Sequence, residues 1–156
     1  LADRRNFPAL FHGLLGYMWC LEIGEFRTGY HIHLLLIYDG TIRTSSANVV
    51  DQIDPVWKLQ ITKGEGEIFS PNLQEKQFAA NGTLGIGLIH RSDERLRVNL
   101  IERVIGYIVK KSSHFQELSG LTLSGEFRSF GRGRMPDAID PQLPRLGRPP
   151  ELLLKR

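Results

Sequence analysis

The stretch "GYMWCLEIGEFRTGYHIHLLLIYDG" (16–40) decides the reading of this chain. "YMWCLEI" (17–23) is dense in aromatic and apolar residues and predicts a strand. "YHIHLLLIY" (30–38) predicts a second strand, closed by the turn pair Asp39-Gly40. The six residues between them, "GEFRTG", read as a turn, so the two strands should form an antiparallel hairpin. An apolar strand has little use for two histidines one residue apart. On extended backbone His31 and His33 point to the same face. They are placed either to hold a metal ion or to pack as ordinary side chains.

A metal site needs a further ligand, and Glu22 on the neighbouring strand supplies a carboxylate with no other obvious use there. Two imidazoles and a carboxylate suit a divalent cation that keeps open positions for substrate and water. Glu25 is the alternative third ligand, placed in the turn, where a solvated carboxylate needs no partner. Cys20 shares strand parity with Glu22. A thiolate ligand favours zinc, whereas oxygen and imidazole alone suit magnesium or manganese. As a small buried apolar residue, Cys20 needs no metal at all.

Outward from the hairpin, "NFPALFHGLLG" (6–16) predicts a short helix capped by Asn6. "SSANVVDQIDPVWKLQIT" (45–62) predicts two helical pieces broken at Asp54-Pro55. "GEGEIF" (64–69) and "TLGIGLIH" (83–90) read as strands, and "SPNLQEKQFAANG" (70–82) as a loop. "SDERLRVNLIERVIGYIVKKSSHF" (92–115) predicts the longest helix. Ser92 or Asp93 is its cap, and Leu100, Ile101, Val104, Ile105 and Ile108 form its apolar stripe. "LTLSGEFRSF" (121–130) is the last predicted strand. The pattern predicts an α+β domain over 1–135, a single central antiparallel sheet of about five strands with packed helices. Residues 136–156 hold five of the chain's eight prolines and read as a tail or linker.

On the long helix, Tyr107 falls at the edge of the apolar stripe. Arg103 lies at i−4, Lys110 at i+3 and Lys111 at i+4, all neighbours on the helix surface. Cations around a phenol favour phenolate and would bind a phosphodiester. A tyrosine resting its ring on the core beside a solvated basic face accounts for the same residues.

The order of a strand glutamate (Glu22), His31-Ile32-His33 on the next strand and Tyr107-Ile108-Val109-Lys110 on a late helix resembles the HUH endonucleases. More narrowly, "TKGEGEIF", "GIGLIHRSDERLRVNL" and "FRSFGRGRMP", together with the hairpin, resemble the inovirus-type replication proteins and their prophage relatives, the YagK/YfjJ C-terminal domain family. That similarity spans about Phe7 to Pro136. The resemblance implies an RNA-recognition-like HUH fold that nicks and rejoins single-stranded DNA at a replication origin, initiating rolling-circle replication. It implies a magnesium or manganese ion held by His31, His33 and Glu22. Tyr107 would be the nucleophile, forming a 5′-phosphotyrosine, with Lys110 positioning the site and Lys111 or Arg103 assisting. The opening motif of eukaryotic-virus initiators is absent, and a single helix tyrosine argues against two-tyrosine versions of the reaction.

Composition narrows the rest. The chain has 156 residues and a net charge of +3. Residues 1–90 hold 7 Lys/Arg against 9 Asp/Glu, and residues 91–156 hold 13 against 8. The basic half is where a polyanion would sit. Within it, "GEFRSFGRGRMP" (125–136) interleaves Phe127 and Phe130 with Arg128, Arg132 and Arg134. That pattern fits either single-strand binding or a last strand with a solvated end. No G-x-x-x-x-G-K-[ST] occurs, so unwinding is expected from a separate host helicase. No apolar run approaches the roughly 18–20 residues of a membrane span. With no segment reading as a signal peptide and Cys20 the lone cysteine, a reducing cytoplasm without a membrane partner is expected, and the resemblance implies that of a bacterial host. Two other classes fit the same residues: a non-cleaving prophage DNA-binding protein on this fold, and a zinc hydrolase using the histidines.

Overall fold

The computed structural model describes residues 7–23, 29–45, 47–111 and 129–133. Within them the chain is α+β, built on a three-stranded antiparallel sheet. β1 (Leu14–Ile23) and β2 (Tyr30–Tyr38) form the expected hairpin. β3 (Phe130–Arg132) pairs with the other side of β1, giving the order β2-β1-β3. A register shift between Leu14 and Gly16 bends β1 near its start.

The hairpin's open end, where β1 begins and β2 stops, is tied down on both strands. Asp39 accepts bonds from the Thr41 backbone N–H (2.8 Å) and hydroxyl (2.7 Å), fixing the Asp39-Gly40 turn. A short helix, α1 (Pro8–Phe11), starts with proline at its first turn, where no N–H is needed. The Tyr38 hydroxyl donates to Leu10 O (2.8 Å). Arg43 donates to the carbonyls of Ala9 and His12 while its guanidinium lies 4.8 Å from the Tyr38 ring centroid.

α2 (Ala47–Pro55) runs without interruption into π-helical turns over Val56–Ile61. The proline therefore does not break the helix. Pro55 sits at helical φ −66°, ψ −32°, and the bonding pattern changes immediately after it. A 3-10 turn (Pro71–Gln74) leads into α3 (Glu75–Ala80) where a loop was expected. Glu75, Lys76, Gln77 and the two alanines are strong helix formers, and Gly82 at φ +70° follows the end.

The strands expected at 64–69 and 83–90 are absent. Gly64 adopts φ +93° and Thr62 Oγ1 accepts the Gly66 N–H (3.0 Å), so the chain curls around Thr62. At 83–90, Gly87 takes φ +83°, and the carbonyls of Gly82 and Leu84 bond to the Asn99 side chain at 3.1 and 2.8 Å. Those backbone groups are committed to a helix rather than to a strand partner.

That helix carries the site. α4 (Glu94–Asn99) is capped by Asp93, which accepts the Leu96 N–H at 2.9 Å. It continues through π-helical turns (Leu100–Ile105) and returns to α geometry over 106–111. A Cβ at Gly85 would lie 2.6 Å from the Asn99 carbonyl carbon, so only glycine lets the 82–85 loop approach this closely. The wider π turns rotate the helix's upstream part relative to its end. Ile108 is buried at 4% exposure, but Ile101, placed in the stripe by regular α spacing, is 56% exposed.

The sheet's two faces differ. On one, Gly131 lies against the Trp19 indole and Gly133 against the Tyr17 ring, where any side chain would collide. On the other lie Met18, Cys20, Glu22, His31 and His33 from the hairpin, with Phe130 and Arg132 from β3. The Asn6 cap, the 24–28 turn with Glu25, the helix beyond 111, the strand over 121–128, Arg128, Arg134 and the 136–156 tail lie outside the described residues.

Candidate functional site

Strand pairing sets Glu22 opposite His31 and Cys20 opposite His33. Glu22 and His33 are thus diagonal neighbours on one face, within reach of each other. Glu22 is buried at 7% exposure and Cys20 completely, while His33 is half-buried and His31 exposed. The His33 Nε2–H donates to Glu22 Oε2 at 2.6 Å. The other carboxylate oxygen, Oε1, is held by the Lys111 ammonium from the helix.

Tyr107 closes the cluster. Its ring meets His33 edge to face, with centroids 5.1 Å apart and planes at 84°. Lys111 Nζ lies 5.4 Å from the Tyr107 centroid. Residues from β1, β2 and the end of the long helix therefore converge on one carboxylate.

The electrostatics follow from this packing. Burial alone pushes the Glu22 carboxyl up, but the hydrogen bonds and charges of Lys111 and His33 outweigh it and hold it below the usual range. The Tyr107 phenol moves up, because burial and the Glu22 charge outweigh Lys111. This corrects the expectation of a phenolate favoured by three cations. Arg103 instead donates to Asn99 Oδ1 (3.2 Å), one turn back along the helix, and Lys110 is exposed. The helical wheel explains the choice between the lysines. Lys110 points about 160° away from buried Ile108, whereas Lys111 comes back to within about 60° of it. The Cys20 thiol is also raised, by burial first and Glu22 second, which keeps it a protonated, small core residue rather than a thiolate.

Among the described residues no three His, Cys, Asp or Glu side chains converge as a ligand set. Glu22 and His33 offer adjacent oxygen and nitrogen donors of the type that magnesium and manganese accept. His31 shares their face but does not join them. Arg132 is exposed on this same sheet face, opposite Met18. Two features escaped the sequence reading. One is the Lys111–Glu22 ion pair. The other is the anchoring of the helix by Asn99, a polar residue inside an apolar-flanked helix whose burial demands partners. Among the described residues no helix is long and apolar enough to cross a membrane.

No protein-family model, curated protein or solved structure matches the chain.

Proposed function

We propose that the protein is a metal-dependent endonuclease of the HUH type, nicking and rejoining single-stranded DNA at a replication origin. The observation that carries this reading is the edge-to-face contact of Tyr107 with His33 at 5.1 Å. It brings a half-exposed phenol to a carboxylate–imidazole pair from distant parts of the sequence. One residue from each of three motif elements, Glu22, His33 and Tyr107, thus meets in one cluster.

In this reading Glu22 and His33, with His31 on the same face, would hold a magnesium or manganese ion. When bound, that ion acts as a Lewis acid on the phosphate oxygens. Tyr107, 44% exposed, presents its hydroxyl to a phosphodiester. A bond forms from Tyr107 Oη to phosphorus, and the bond from phosphorus to the 3′-oxygen breaks. The phenol's proton must be lost during attack, since the packing favours the neutral phenol. The free 3′-hydroxyl takes up a proton, and the 5′-phosphotyrosine keeps the energy of the original linkage. Attack by a 3′-hydroxyl on that phosphotyrosine rejoins the strand without a nucleotide cofactor. Lys111, rather than Lys110, is the ammonium beside Tyr107, and Arg132 would hold DNA phosphates on the same face. Strand unwinding would come from a separate host helicase, in a bacterial cytoplasm.

The test is incubation of the protein with origin-derived single-stranded DNA and manganese. A covalent adduct mapping to Tyr107 supports the reading, and a modified peptide elsewhere, or none, rejects it. A second reading is a DNA-binding protein that does not cleave. It is favoured by the satisfaction of both Glu22 oxygens within the chain itself. DNA binding unchanged by chelator, with no adduct, would select it.

A further inference from the structure

A buried carboxylate is costly unless both its charge and its lone pairs are satisfied. Glu22 meets that requirement from within the chain. The His33 N–H occupies one oxygen, and the Lys111 ammonium the other. Lysine at the edge of a helix's apolar stripe ordinarily extends its charge into water. Lys111 instead turns inward, past the Tyr107 ring, and is half-buried. The ammonium stands against Oε1 and the His33 N–H against Oε2, so a divalent cation at this carboxylate competes with both.

The geometry points to Lys111 as the built-in counter-ion of the metal site: it neutralises Glu22 from within the chain and competes with a divalent cation for that carboxylate. This inference rests on the metal-dependent reading proposed above. Two cations on one carboxylate repel each other, so Lys111 and the ion compete directly for Glu22. The displaced ammonium remains tethered one turn from Tyr107. The nearest anion the reaction brings there is the phosphate that Tyr107 attacks. Metal entry and phosphate binding therefore favour each other, because one releases the cation that the other uses.

The experiment is titration of the whole chain with manganese alone, followed by calorimetry and by the loss of the free-ion paramagnetic resonance signal. Lys111→Met should bind manganese at least about tenfold more tightly than the unaltered protein, since the competitor is gone. Lys111→Arg should bind it more weakly, because the guanidinium fork grips a carboxylate at two points. A merely structural lysine would not tighten metal binding on removal. Should Lys111→Met not fold, the charge-retaining Lys111→Arg decides the matter. Unchanged affinity in Lys111→Arg, or equal or weaker binding in a folded Lys111→Met, overturns the counter-ion role while leaving the metal site standing. No manganese uptake by the unaltered protein or by either variant overturns both readings together.

Discussion

The Tyr107 ring stands edge-on to His33, with centroids 5.1 Å apart, so a hydroxyl-bearing helix and a histidine-bearing strand share one contact. That contact is made by the ring and not by the hydroxyl. Tyr107→Phe should therefore keep the packing and lose the nucleophile together with the hydroxyl's hydrogen bond to Lys111. Its stability should fall by no more than about 1.5 kcal/mol, the worth of that one hydrogen bond. Its DNA binding should be nearly unchanged, and the protein–DNA adduct should vanish from denaturing gels. An adduct that persists would assign the nucleophile elsewhere.

Glu22 makes stability depend on pH in a predictable direction. Its folded carboxyl is held below the usual range, so it contributes stability that is fully present above the unfolded value of about 4.3. That contribution is lost as pH falls through the lower folded value. Glu22→Gln leaves the Lys111 ammonium half-buried without its carboxylate, which should cost about 1–3 kcal/mol at neutral pH. In urea denaturation the gap between the two proteins should narrow from pH 6 to pH 3. A gap independent of pH would show that the ion pair does not form in solution.

The position of Tyr107 depends on a loop far from it in sequence. Asn99→Ala removes the bonds to the Gly82 and Leu84 carbonyls and should cost about 1–3 kcal/mol. Gly85→Ala places a methyl group against the helix backbone and should cost about as much. Both should lower the melting temperature, and both should slow adduct formation in molecules that are still folded. Slower adduct formation without a stability loss would contradict anchoring as the cause.

The hairpin was legible because its apolar runs and the Asp39-Gly40 turn are local signals, and strand parity put His31 and His33 on one face with Glu22 on the neighbouring strand; the register that adds Glu22 to that face is seen only in the structure. The Asp93 cap was legible for the same reason. The strands read at 64–69 and 83–90 were not there, because apolar residues among glycines do not reveal where backbone groups bond. Gly85 gives up its side chain to a helix, and the Gly82 and Leu84 carbonyls to Asn99. The exposure of Ile101 follows from π turns, whose bonding shift leaves no residue pattern to read. Lys111 was within reach of sequence reasoning. Once Ile108 is taken as the centre of the buried stripe, the wheel turns Lys110 away and Lys111 toward the sheet.

Arg132 tests whether the sheet face around the site is also the path of the DNA. It alternates with Gly131 and Gly133, which flatten against Trp19 and Tyr17 on the opposite face. That alternation sends the arginine to the face of Cys20 and Glu22, where it is exposed. An exposed arginine beside the site that bonds a phosphate displaces one condensed counter-ion. For single strands, Arg132→Ala should then reduce the slope of log binding constant against log salt by about 0.7. Because the side chain leaves the exposed surface of a strand whose pairing is backbone-mediated, stability should change by less than about 0.5 kcal/mol. Weaker binding at low salt with an unchanged slope would mean that Arg132 shapes the face without touching the phosphate chain.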